Sequence, residues 1–436
     1  VSGIGVQPRQ VAMGQGERDL RLDFLRGLGQ WMIFVDHIPG NFLAWLTLRN
    51  YGFCDAAEFF VFISGYSIGF AYAPAIRNGE FVAAIKRLWT RAAQLYVVHI
   101  FLFLFFTAQV ARAARRFDNP MYKDQFNVAQ FLANPDVMIQ QALLLKYKPV
   151  NLDVLPLYIV FVVAAPLILW GLSRRPHVTL VCSFVLYIAS RSLGWNLPSF
   201  PDGHWYFNPF CWQFLFVFGI WAGFGNGPKI RGFVTSWPNQ LLCWTIVVVA
   251  LVIVISWNVE SMYGLVPDAV GKLLYPIDKT TLAPVRLLHF LALLGIVIKL
   301  LPPDLPALRS KGMHPIILCG QRSLPVFCLG VILSFTAHWM LVQISDSELM
   351  QLFVSVAGIA LLVGAAWLAT WYRSLPTLVS TVPVTVPVEE DEGTSGTDAR
   401  AAGTAQPLPL AGEVGPAERS EAGTGGGSAL RESQNQ

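Results

Sequence analysis

Long apolar runs separated by short polar segments dominate this chain. A helix needs about 20 mostly apolar residues to cross a bilayer, because its backbone polar groups must be satisfied within the segment itself. Ten runs answer to that rule, at roughly 25–46, 56–74, 92–110, 154–171, 178–194, 207–225, 240–257, 285–301, 324–342 and 349–371. Pro and Gly inside several of them are compatible with membrane helices. The expected fold class is therefore an all-α polytopic membrane protein of about ten transmembrane helices. No internal repeat of the kind common in transporters is visible.

Charge supports this and adds detail. Only 13% of residues are charged, against about 25% in soluble domains. A soluble enzyme is excluded, and no nucleic-acid partner is expected. The chain also holds 14 Trp and 30 Phe, as a lipid-facing surface would. From Ser374 onward there are three basic residues against nine acidic ones, so a basic body is masked by an acidic tail.

The spread of Lys and Arg sets the expected orientation. With the N-terminus inside, 17 basic residues fall inside and 11 outside, six of those in the 111–153 connection. This favours N-in/C-in. Within that connection, Asn127–Tyr147 reads as an interfacial amphipathic helix on the outside. Residues 1–20 read as a cytoplasmic segment without a signal-peptide core. Residues 21–373 form the membrane domain. Residues 374–436, rich in Pro, Gly, Ser, Thr and Glu, read as a disordered acidic cytoplasmic tail. The six cysteines form no CxxC and read as small core residues. No metal site is expected.

Ionisable residues inside a membrane are costly, so each is a functional candidate. They gather in the first hundred residues: Asp36 and His37, then Asp55 and Glu58, then Arg87, Arg91 and His99. His289 and His338 follow later. Arg26 and His37 are eleven positions apart, about three turns and 16 Å on one helix face. An anionic donor held at Arg26 would present its reactive group at His37, a natural general base near neutral pH. Pro39 is expected to kink the first span. Asp55 and Glu58 share a face at i, i+3; Glu58 is suited to orienting His37 or pairing with an Arg, and the two acids also fit a helix N-terminus, which favours negative charge. Arg87 and Arg91 share a face at i, i+4 and can hold phosphate; the same pair also serves as a positive-inside signal.

Several separated motifs occur in a familiar order. They are Asp23-Phe-Leu-Arg26-Gly, Ile33-Phe-Val-Asp-His37-Ile-Pro39, and Gly52-Phe-Cys-Asp-Ala-Ala-Glu-Phe-Phe-Val-Phe-Ile-Ser-Gly65-Tyr. Lys148-Pro-Val-Asn-Leu-Asp153 and Trp205-Tyr-Phe-Asn-Pro-Phe-Cys-Trp-Gln213 follow. Over roughly residues 18–372 the chain resembles the OpgC family, membrane succinyltransferases of osmoregulated periplasmic glucans, related to the acyltransferase-3 family. The wider family's Arg-x10-His pattern is matched by Arg26 and His37. Its Arg pair at the start of the third span is matched loosely, with three intervening residues rather than two.

The resemblance implies a bacterial inner-membrane enzyme that moves a succinyl group from cytoplasmic succinyl-CoA to sugar hydroxyls of a periplasmic glucan. Acyl-CoA would be a donor substrate, with no permanently bound cofactor. Membrane lipid and the glucan would be the partners. His37, Arg26 and Glu58 form the expected catalytic set, and Arg26, Arg87 and Arg91 the donor-binding set. Asp55, Asp153, Trp205, Asn208 and Gln213 are the expected acceptor contacts, with Asn151, His204 and Tyr206 beside them. His37 could act as base or as a transient acyl carrier. Two rivals stay open: an O-acetyltransferase of another surface polysaccharide, and a proton-coupled transporter.

Overall fold

The computed structural model describes residues 19–117 and 119–375. The expectations for residues 1–18, and for the tail from 376 onward, lie outside the described residues. Helices are the regular secondary structure of the described residues; the nearest approach to a strand among them is one isolated bridge between Pro198 and His204. In order, the helices are α1 (Leu20–Asp36), α2 (Ala56–Arg77), α3 (Phe81–Phe117), α4 (Pro120–Gln125), α5 (Ala129–Ala133), α6 (Pro135–Leu143), α7 (Val154–Arg174) and α8 (Pro176–Leu193). Then come α9 (Pro209–Trp221), α10 (Gly227–Val234), α11 (Trp237–Asn258), α12 (Asp268–Leu274), α13 (Pro284–Leu300), α14 (His314–Gln321), α15 (Ser323–Gln343) and α16 (Glu348–Ser374).

Each of the ten apolar runs overlaps one of these helices. Seven of them, α2, α3, α7, α8, α11, α15 and α16, are long and apolar enough to cross a membrane. The other three are shorter: α1 and α13 have 17 residues and α9 has 13.

Three boundaries differ from expectation, each for a local reason. The first run does not continue as a kinked helix to residue 46; α1 stops at Asp36. Pro39 brings no N–H and disfavours helix at Ile38, and Gly40 takes φ +77°. Two short 3-10 turns, Phe42–Leu46 and Leu48–Asn50, fold the chain back. The stretch 127–147 is not one amphipathic helix, because Asn134-Pro135 divides it into α5 and α6. Finally, α3 runs 37 residues rather than the expected 19 or so. At 1.5 Å per residue that is about 55 Å, against a hydrocarbon core of about 30 Å. Arg87 near one end of α3 and Arg112, Arg115 and Arg116 near the other are thus separated by more than that core.

Two interlocked pairs of glycines set the position of α2. Gly65 and Gly69 on α2 face Gly219 at the end of α9 and Gly223 just beyond it. A Cβ at Gly65 or Gly69 would collide with the carbonyls of Phe216 and Ile220, and one at Gly219 or Gly223 with those of Phe62 and Tyr66. Both pairs have small-xxx-small spacing, which lets membrane helices approach backbone to backbone. On α1, Gly27 meets the Ile316 carbonyl, while Gly320 on α14 meets that of Asp23. These contacts seat α1 and α2. The main core lies around them, with Phe103, Phe106, Trp212, Phe216, Phe290 and Phe335 all buried.

The cysteines are all free. Cys54, Cys211 and Cys319 are buried, Cys243 and Cys328 partly so, while Cys182 is exposed on α8 and departs from the expected core role.

Candidate active site

Helices α1 and α2 run antiparallel, so the residues that lie far apart on each meet at two levels. At one level Arg26 donates a short hydrogen bond to Ser67 Oγ on α2 and lies 3.6 Å from Asp23. At the other, the C-terminal end of α1 meets the N-terminus of α2. Ser67 lies nine positions after Glu58 on α2, about 13 Å of axial rise.

His37 caps α1 and is half-buried. Its Nδ1 lies 2.5 Å from the Ile33 carbonyl oxygen. A carbonyl only accepts, so Nδ1 carries the proton. In the neutral ring that leaves the Nε2 lone pair as the proton acceptor, and the same bond holds the ring plane. Beside it, Asp36 Oδ1 accepts from Thr47 Oγ1 at 2.6 Å. Arg49 Nη1 lies 3.5 Å from the Asp36 carbonyl, at the peptide that joins Asp36 to His37.

The N-terminus of α2 is built on a capping box. Asp55 Oδ1 accepts from the Ala57 N–H at 2.8 Å, and Glu58 Oε2 accepts from the Asp55 N–H at 3.0 Å. The outer oxygens of both acids turn to cations from a distant part of the chain. Arg286 on α13 bonds Glu58 Oε1 through Nη2 at 2.5 Å and Nε at 2.8 Å. Lys279 Nζ lies 2.6 Å from Asp55 Oδ2, and Arg286 Nη2 lies 3.3 Å from the same oxygen. Two acids and two bases thus form a neutral cluster around a fully buried Glu58. Burial pushes Asp55 upward, but Lys279 and Arg286 outweigh it and hold the carboxyl well below the usual range. Lys279 and Asp55 are also within electrostatic range of His37.

His289, one turn beyond Arg286, accepts the Cys54 N–H at 3.4 Å, and its ring lies against Gly52, where any Cβ would collide with it. It braces the chain leading into α2. His99 is buried in α3, and His338 packs against Tyr122 and Phe126.

Among the expected catalytic residues, His37 and Glu58 thus come to the same end of the bundle, while Arg26 stands about three helical turns away along α1. Glu58 faces Arg286 and the Asp55 amide rather than the imidazole. Arg87 and Arg91 line a groove of about 700 Å³ with Lys86, Tyr72 and Tyr158. Its α2 wall includes Ile68, next to the Ser67 that bonds Arg26. The three expected donor-binding arginines therefore flank α2 at one level.

The expected acceptor contacts are spread more widely and are mostly engaged internally. Trp205 is 4% exposed, with Lys148 Nζ 4.1 Å from its ring centroid. Asn208 caps α9 by accepting from the Phe210 N–H and donates to the Trp195 carbonyl. Gln213 ties α9 to α8 through the side chain and carbonyl of Ser183. Asp153 leads into α7 beside Lys148, with its carboxyl raised by burial to about 6. Tyr206 is exposed.

Lys279 and Arg286 were not among the residues expected from sequence. Arg286 could have been found, since it stands inside an apolar run like Asp36 and His37. Lys279 carries no such signal; its partner lies 224 residues away.

The fold and site define a polytopic α-helical membrane protein with His37 and a buried cluster of acids and bases at one end of its helices and a basic groove towards the other. The model of one family, described as OpgC protein, matches residues 18–374, and the chain belongs to that family. Membership assigns it to the acyltransferase-like proteins of glucan modification. No curated protein and no solved structure matches the chain.

Proposed function

We propose that the protein is an O-succinyltransferase of the bacterial inner membrane. It moves the acyl group of cytoplasmic succinyl-CoA to glucose hydroxyls of an osmoregulated periplasmic glucan. The observation that carries this reading is His37, half-buried, with Nδ1 bonded to the Ile33 carbonyl and Nε2 left as a base. The chain would lie N-in/C-in with ten spans, the three shorter helices completing the seven long ones. Arg26, Arg87 and Arg91 would then face the cytoplasm and His37 the periplasmic half.

The anionic nucleotide end of the donor sits on these arginines, and the thioester reaches along α1 towards His37. His37 Nε2 takes the proton of the attacking sugar hydroxyl as its oxygen bonds to the thioester carbonyl. The tetrahedral intermediate then collapses, the carbon–sulfur bond breaks, and the departing thiolate receives the proton from the imidazolium. The donor's free carboxylate needs a cation close to His37. Lys279 and Arg286 are committed to Asp55 and Glu58. Arg49 is exposed, lies against the Asp36–His37 peptide and is best placed to receive it.

Steady-state kinetics test both assignments in one experiment. Arg26→Ala is expected to raise KM at least tenfold for succinyl-CoA and acetyl-CoA alike. Arg49→Gln is expected to raise it for succinyl-CoA alone. Unchanged KM in either variant removes that residue from the donor site. The reading as a whole is tested by mass spectrometry of periplasmic glucans from a deletion strain. Loss of succinyl groups, restored by the wild-type gene, is expected; glucans unchanged by the deletion would refute it.

A further inference from the structure

We propose that a groove between α11 and α12 is a carbohydrate-binding site that holds a glucose-containing oligosaccharide as acceptor. This rests on the transferase reading and supplies the acceptor contacts that Trp205, Asn208 and Gln213, engaged internally, leave unfilled. The groove has a volume of about 580 Å³ and is lined by Trp257, Tyr263, Asp268, Lys272 and Tyr275. That size is typical of small-molecule sites and has room for a short oligosaccharide.

Its chemistry suits a sugar. A pyranose has apolar C–H faces and a rim of hydroxyls. Aromatic side chains offer flat apolar surface with a polar edge. Here Tyr263 and Tyr275 are 63% and 72% exposed, and Trp257 at the end of α11 is half-buried. Asp268 and Lys272 stand at i, i+4 on α12, so their side chains are neighbours. Neither forms an ion pair among the described residues. A carboxylate that accepts and an ammonium that donates are therefore both available to hydroxyls.

Position links the groove to the proton-transfer site. The Trp257 ring packs on Phe53 at 6.4 Å between centroids, and Phe53 lies two residues before Asp55. On the other wall, the chain continues from Tyr275 to Lys279, which is paired with Asp55. Both walls thus lead directly to the end of the bundle that carries His37. A glucan lying in the groove would extend towards the imidazole from the side opposite the donor arginines.

Calorimetric titration of the full chain in detergent micelles with a glucose oligosaccharide tests this without turnover. Wild type is expected to bind, and so is His37→Ala, with the same Kd. The double variant Tyr263→Ala/Tyr275→Ala is expected to bind at least tenfold more weakly, and Asp268→Asn several-fold more weakly. Both tyrosines are exposed, so folding should survive. Tyr263→Phe/Tyr275→Phe should retain most of the affinity. An unchanged Kd in the alanine double variant would mark these rings as interfacial membrane anchors and overturn the proposal, as would absence of binding by wild type. Binding is read separately from acyl transfer. A chain that binds sugar here yet leaves glucans unacylated would refute the transferase reading and keep the site.

Discussion

Replacement of His37 by Ala is expected to abolish acyl transfer to glucan while leaving a folded protein in the membrane. Removing a general base costs about 10²–10⁴ in rate, and a sugar hydroxyl attacks a thioester poorly without one. The fold loses little by comparison. The imidazole contributes one hydrogen bond, to the Ile33 carbonyl, and a typical hydrogen bond is worth about 0.5–1.5 kcal/mol net. The end of α1 is also held by backbone. The His37 N–H bonds the same carbonyl at 3.1 Å, and the Ile38 N–H bonds Val35 O at 3.2 Å. The variant should therefore appear in the membrane fraction at normal abundance, with a melting temperature within a few degrees of wild type. Mass spectrometry of the glucan should find no added acyl groups. His37→Gln, which keeps a side-chain donor but lacks the basic nitrogen, should be equally inactive. Wild-type-like substitution of glucan by either variant would remove His37 from the chemistry.

How much of this was legible follows from the range over which each feature is encoded. Apolar runs and the Asp55-x-x-Glu58 capping box are local, and both appear in the structure. The end of α1 at Asp36 was also locally encoded, by Pro39 and Gly40; a long apolar run simply masked it. The Asn208-Pro209 pair was likewise a helix start, with an N-cap and Pro in the first turn, although Asn beside Trp and Tyr suggested a sugar contact. Long-range pairing is different. The partners of Asp55 and Glu58 stand more than 220 residues away, and no local spacing encodes them. The groove around Tyr263 and Tyr275 is mixed: its lining lies within one stretch, Ser256 to Tyr275, but its seat on Phe53 is long-range and has no local signal.

The buried cluster makes the second large prediction, one of stability rather than chemistry. Arg286→Leu would leave Glu58, fully inaccessible to solvent, without the guanidinium that bonds its Oε1. Removing one partner of a buried ion pair costs about 3–5 kcal/mol, because the remaining charge is desolvated without compensation. Lys279 does not relieve this, since it is held at 2.6 Å by Asp55. The expected result is a large fall in melting temperature in detergent and low abundance in the membrane. Glu58→Leu/Arg286→Leu removes both charges together and replaces them with apolar volume. Such replacements are often neutral or stabilising, so the double variant should recover most of the lost stability. That recovery separates a buried charge from a merely large side chain. If the double variant were as unstable as Arg286→Leu, packing by the arginine stem, rather than its charge, would explain the loss. The double variant also isolates what the cluster does for catalysis. Asp55 keeps Lys279 and the Ala57 amide, so the N-terminus of α2 retains its cap. Should the refolded activity remain near wild type, Glu58 and Arg286 serve to seat α2 and α13. A specific loss of kcat with KM unchanged would instead show that the pair supports the chemistry at His37 as well as the fold.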